Sequence, residues 1–207
     1  MKKVIITLLI TFILYGCVTS NIQDYSFQRT ITSGETGKVT LKRIAIRVDS
    51  QSDIGLAQES QKELLEQLLP YGVEIVLWND LMPPLRQYEL REIFQIMQAN
   101  RLDGFLRIRF GTGVYDERIT GSITHTHSDT YSSSSTVTPL REFNRDTNSQ
   151  ATLFSSKDGS ILWKANGETN AGGLLFMSDK LTASSVVGEY ISALEKRGFI
   201  SQTRKSG

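Results

Sequence analysis

The chain has 207 residues, a formal net charge of +1, one cysteine and two histidines. A single cysteine excludes an intrachain disulfide framework and a cysteine-built zinc site. Hydrophobic residues at 39% and charged residues at 22% belong to a globular chain rather than a disordered one, and the near-neutral balance gives no electrostatic footprint for nucleic acid.

Lys2 and Lys3 precede an uncharged, mostly apolar run over residues 4–15. A hydrocarbon core about 30 Å thick needs roughly 20 helical residues to cross it, so this run is too short to span. A short basic start followed by such a run has the form of a secretory signal. The run ends in Leu14-Tyr15-Gly16-Cys17. This resembles the bacterial lipobox, in which a small residue precedes an obligatory cysteine, although Tyr15 is bulky for its place. The resemblance implies that residues 1–16 are a cleaved signal peptide and that Cys17 carries a diacylglycerol, with further acylation of its amine. Two or three acyl chains at about 0.8 kcal/mol per buried CH₂ make a stable anchor, where one does not. Val18 follows where an aspartate favours inner-membrane retention, which implies outer-membrane sorting in a Gram-negative host. Loss of Lys2 and Lys3 leaves 21 basic against 22 acidic residues, a net −1.

Residues 17–38 are polar, without sustained periodicity, and read as a lipidated cysteine with a flexible tether. About 20 such residues reach roughly 25 Å. Residues 39–200 read as a single α/β domain. Ile44, Ile46 and Val48 alternate as in a strand. Asp49, Ser50, Ser52 and Asp53 supply turn and N-cap chemistry. Residues 54–69 are helical, with Ala57, Leu64, Leu65 and Leu68 as the apolar stripe, until Pro70 and Gly72 stop the helix. A strand over 73–78 follows. Pro83-Pro84 break the chain or open the next helix, whose buried face is Leu90, Ile93, Phe94 and Met97. A third strand begins at Gly104 and places Leu106, Ile108 and Phe110 on one side. Connections of this length favour parallel pairing through right-handed crossovers.

Residues 111–149 form a polar insertion in which 15 of 39 are Ser or Thr. They read as a strand over 114–129 running into a long polar loop. Residues 151–154 and 161–165 form a hairpin across Ser156-Lys157-Asp158-Gly159, since Asp-Gly between apolar runs is a strong turn signal. After Gly172-Gly173, Ser178 caps a last helix with Val187, Ile191 and Leu194 inward. Lys196 and Arg197 suit its C-terminal dipole, and Gly198 is a natural C′ residue. Residues 201–207 are a polar tail. The fold class is α/β: a β-α-β-α-β start, a mixed sheet, an antiparallel hairpin and a C-terminal helix.

That order, with Ile44-Ala45-Ile46, Leu102-Asp103-Gly104 and Asp158-Gly159-Ser160-Ile161-Leu162-Trp163, resembles a group of bacterial envelope proteins. The group includes CsgG-type curli lipoproteins, LpoB-type activators of penicillin-binding proteins and the TolB N-terminal domain. The resemblance implies a role in envelope assembly through protein partners, without catalysis or a cofactor. A CsgG-like pore needs lipid-facing alternation over about nine to eleven residues per strand. Residues 111–149, with Asp116, Glu117, Arg118 and a serine run, read as too polar for it.

His125-Thr126-His127-Ser128-Asp129 is the sharpest chemical pattern, because residues at i, i+2 and i+4 share a strand face. It resembles the His-x-His-x-Asp of metallo-β-lactamase-type hydrolases. That motif continues with another histidine, whereas residue 130 is Thr and the chain has no third histidine. A metal-dependent hydrolase using His125, His127 and Asp129 is therefore the alternative to a binding protein. Gly111-Thr112-Gly113 has neither the third glycine nor the helix of a nucleotide loop. Asp116, Glu117 and Glu142 read as solvated carboxylates. Arg107 and Arg109 share one strand face, opposite Leu106 and Ile108. They are candidates for an anionic glycan, lipid headgroup or partner contact, against an ordinary salt-bridged sheet face. Trp78 and Trp163 read as core or rim residues.

Overall fold

The computed structural model describes residues 17–27, 39–129, 132–173 and 178–202. The lipobox residues before Cys17 and part of the expected tether lie outside them. In chain order the elements are β1 (Cys17–Ser26), β2 (Arg43–Ser50), α1 (Ile54–Leu68), a 3₁₀ turn (Leu69–Tyr71), β3 (Glu74–Leu77), α2 (Trp78–Leu81), α3 (Leu90–Ala99), β4 (Gly104–Phe110), β5 (Val114–Asp129), β6 (Ser132–Ser155), β7 (Ile161–Gly173) and α4 (Asp179–Lys196).

All seven strands join one mixed sheet in the order β1-β7-β6-β4-β2-β3, with β5 paired to β6. The β-α-β-α-β start is as expected: β2 lies parallel to both β3 and β4. β4, β6, β7 and β1 then pair antiparallel. Alternation divides each strand between two faces. Ile44, Ile46, Leu106, Ile108, Phe110, Leu153 and Trp163 face α1 and α4, where Leu56, Leu64, Leu68, Val187 and Leu194 complete the main core. Among the described residues the opposite face is covered at one corner. There Trp78, Met82 and Met97, from α2, its end and α3, pack on Ala45 and Phe105. Among the described residues, this second face is covered at the Ala45–Phe105 end of β2 and β4 and open along the rest of β2, β4, β6, β7 and β1.

Short signals in the sequence have identifiable jobs. The Asp103 carboxylate accepts from the backbone N–H groups of Lys42 (2.7 Å) and Arg43 (2.9 Å), fixing where β2 enters the sheet. Gly104 follows because a Cβ there would stand 2.7 Å from the Phe154 carbonyl oxygen. Asp53 caps α1, its Oδ1 accepting from the Leu56 N–H at 2.8 Å. Gly159 turns the β6–β7 connection with φ +70°, and a Cβ on it would enter the Phe94 ring. Trp78 stacks on Phe105 with centroids 4.0 Å apart, and Trp163 meets Tyr190 edge-on at 6.0 Å. Both tryptophans are core residues, as expected.

Two expectations are corrected. The tether does not begin at residue 17: Cys17–Ser26 is an edge strand, paired along its length with β7. It is hidden because three of its inward positions, Ser20, Asp24 and Ser26, are polar, and the partners of the first two come from distant sequence. Ser20 bonds to Thr169 (2.9 Å) and Ser185 (2.8 Å), and Asp24 bonds to Trp163 and Arg197. The expected long polar loop is also absent. Apart from residues 130 and 131, which lie outside the described residues, residues 114–155 are two strands of one hairpin. The expected strand over 161–165 is likewise the first part of a longer one, Ile161–Gly173.

Candidate functional site

β4 and β5 follow almost one line along β6. Phe110 is paired with Ser149, the Gly111 N–H donates to the Asn148 carbonyl (2.8 Å), and Val114 resumes opposite Asp146. This is why Gly111-Thr112-Gly113 is a link within a ladder and not a phosphate loop. β7 accompanies β6 only as far as Phe143, which it meets at Gly173. Beyond that level, among the described residues, the β5–β6 ladder runs on alone, from Ile119 opposite Arg141, past an irregularity between Ile119 and Gly121, to Asp129 opposite Ser132. At 3.4 Å per residue the arm is about 34 Å long. Both of its lateral edges are unpaired among the described residues. Asp116, Glu117 and Arg118 lie at its base, and no Asp, Glu, Lys or Arg occurs over residues 119–128 or 132–140.

The base of the arm is held by a charged clamp. The Arg145 side chain on β6 is 4% exposed and ion-pairs with Asp53 and, at 2.6 Å, with Asp179. One guanidinium therefore ties β6 to the first residues of α1 and α4. A buried cation is tolerated when its donors meet carboxylates in this way. Lower on the same face, the Ser149 hydroxyl and the Tyr190 phenol are 2.7 Å apart. Burial pushes the Tyr190 phenol well above its ordinary value, against the opposing effect of the Ser149 bond.

Cys17 begins β1 at the same end of the sheet as the arm. Its Cα partner is Gly172, which in turn pairs with Asn144 near the arm's base. The N-termini of α1 and α4, held by Arg145, lie at this end too. Here the surface bears exposed apolar residues: Ile54 (74%), Val114 (66%), Tyr115 (61%) and Leu181 (45%). No helix among the described residues is long and apolar enough to cross a membrane.

His125, His127 and Asp129 fall on the outer part of β5, opposite Thr136, Ser134 and Ser132. Their side chains lie outside the described residues. Arg107 and Arg109 lie on the sheet face not covered by α1 and α4. The Arg107 guanidinium donates to Asp49 Oδ2 (2.8 Å from Nε), while Asp49 Oδ1 accepts from Arg47 Nε at 2.7 Å. Burial opposes the charged form of Asp49, but the bonds from Arg47 and Arg107 outweigh it and hold the carboxyl below its ordinary value. Arg109 is exposed and makes no ion pair among the described residues. The two arginines are thus brought to one face but differ in kind: Arg107 is neutralised and Arg109 is not. Sequence reasoning missed Arg145, the second strand of the arm and the edge role of β1. A buried arginine in a polar strand carries no local signal until its two carboxylates are brought to it.

By sequence, no known protein family and no curated protein matches the chain. By fold it is similar to the PelC dodecamer of Paraburkholderia phytofirmans, with 10% identity, a TM-score of 0.50 and 85% of this chain matched to 97% of that one. Weaker likenesses include lipoprotein GNA1162 of Neisseria meningitidis (14% identity, TM-score 0.40, 75% of this chain and 96% of that one). Another is the LpoB C-terminal domain of Salmonella enterica (10%, 0.37, 64% and 84%). The likeness to PelC is one of fold: a mixed α/β sheet with a C-terminal helix, shared across nearly the whole domain.

Proposed function

We propose that this chain is a lipid-anchored protein of the bacterial cell envelope, held to the outer membrane through Cys17 and facing the periplasm. It acts by binding other envelope proteins and not by catalysis. The observation that carries this reading is the arm: a two-stranded ladder, unpaired on both edges among the described residues, at the end of the sheet where Cys17 begins β1. A two-stranded hairpin alone is at best marginally stable in water, so an arm of this length is built to be covered. Strand addition to an exposed edge supplies main-chain hydrogen bonds from any partner with a free strand. With the acyl chains on Cys17, the end bearing Ile54, Tyr115 and Leu181 rests toward the bilayer. The arm then meets partners held at the same surface. That β1 starts at Cys17 itself means the domain stands on its anchor without a spacer.

The test is excision of residues 121–139, closed by an Asn-Gly turn, in cells carrying the full chain. The reading expects the shortened protein to fold and reach the membrane while losing its envelope crosslinks. Unchanged crosslinks would place the partner surface elsewhere.

A further inference from the structure

The uncovered face of the sheet carries an ordered polar surface that the arm does not explain. Strand register aligns its outward residues in rows. One row reads Tyr25, Lys164, Thr152, Arg107 and Arg47 across β1, β7, β6, β4 and β2. The next reads Gln23, Asn166, Gln150, Arg109 and Asp49. The two rows hold four cations against one carboxylate, and that carboxylate is already shared by Arg47 and Arg107. Lys164 and Arg109 make no ion pair among the described residues. Of the other acidic residues on this face, Glu74 pairs with Arg43, and Asp116, Asp146 and Glu168 lie further along toward the arm.

We infer that these two rows bind an acidic polysaccharide, a glycan chain bearing carboxylates, laid across the strands. Four strand spacings give a track about 19 Å long, suited to an extended chain. Guanidinium groups pair with carboxylates by charge-assisted hydrogen bonds, and amide side chains serve hydroxyls in both directions. The Gln150 amide donates to Asn166 Oδ1 at 3.1 Å, which orients both amides and leaves the other half of each to the ligand. Tyr25, 55% exposed at the end of the first row, offers a ring face for a sugar. An acidic protein segment fits less well, because protein interfaces are anchored in apolar pockets and these two rows carry none. Lipid headgroups are out of reach if Cys17 lies at the membrane, since Tyr25 stands eight residues along β1, about 27 Å away. That last point alone rests on the proposed anchor.

The test uses the full chain in detergent, with polygalacturonate as the acidic glycan, dextran as a neutral one and polyglutamate as an acidic peptide. Calorimetry at low salt reads binding. The account expects polygalacturonate to bind and dextran not to. It expects the Lys164→Gln/Arg109→Gln double variant to bind at least about tenfold more weakly, since two charge-assisted bonds are lost. Neither residue makes an ion pair among the described residues, so the variant should melt close to the parent. Absence of polygalacturonate binding, equal binding by the double variant, or tighter binding of polyglutamate would each overturn the assignment, the last in favour of an acidic protein.

Discussion

Arg145 shows how much one side chain settles here. Its guanidinium reaches carboxylates at the starts of two helices that are far apart in sequence, and its strand carries the base of the arm. Replacement by leucine leaves Asp53 and Asp179 facing each other without their cation. The expected cost is about 2–3 kcal/mol, below the full value for a buried pair because both carboxylates are partly solvated. Urea unfolding reads that loss, and amide exchange should rise over residues 114–116 at the arm's base. Tyr190→Phe removes the shorter of two bonds of the buried Ser149 hydroxyl, which also donates to the Gly167 carbonyl, and should cost about 1 kcal/mol, measured the same way. Asp24 gives a pH-dependent counterpart. The Arg197 guanidinium holds its carboxyl below the ordinary value of 3.8, with burial opposing and Trp163 assisting. A depressed carboxyl contributes stability above its unfolded value and loses it as pH falls through the folded one. Asp24→Asn should therefore lower the melting temperature at pH 7 and have no effect once the carboxylate is protonated in both states. An equal loss at pH 7 and at pH 2 would show that the aspartate acts through shape alone.

At the scale of elements, legibility followed burial. β2 and β4 were plain in the sequence because Ile44, Ile46, Leu106 and Ile108 alternate against one apolar core. β1 was not, since Ser20 and Asp24 face inward and are satisfied by side chains distant in the sequence. The second strand of the arm reads as a loop in the sequence because its Ser- and Thr-rich run shows no hydrophobic period to mark a face, although threonine itself suits a strand. The one-turn helix Trp78–Leu81 was missed because the expected strand ran into it. Of the candidate residues, the shared face of Arg107 and Arg109 was legible from period two. The role of Asp49 was not, since it depends on the parallel register of β2 and β4. The arm should also be energetically separable. The main core draws on β6 only through Ala151 and Leu153, so excising residues 121–139 should leave the thermal midpoint within a few degrees of the parent's, as expected for surface changes within about 0.5 kcal/mol. A large drop would mean that the arm supports the core.

For the whole molecule, the sheet separates two surfaces. One end gathers Cys17, the arm and exposed apolar residues. The flat polar face carries the cationic rows, with Tyr25 well along β1 from that end. Under the proposed anchor, the arm lies at the membrane end of the sheet and the cationic rows lie further from it. Cys17→Ser should abolish fatty-acid labelling and leave the signal uncleaved, and labelling that persisted would remove the anchor from this account. The most direct measurement of the central claim is site-specific photo-crosslinking in living cells, with the probe at Val137 on the arm and, for comparison, at Glu66 on the solvent face of α1. The account predicts discrete adducts to envelope proteins from position 137, lost when Cys17 is replaced, and none from position 66. Adducts from position 66 alone, or equal adducts from both, would contradict it.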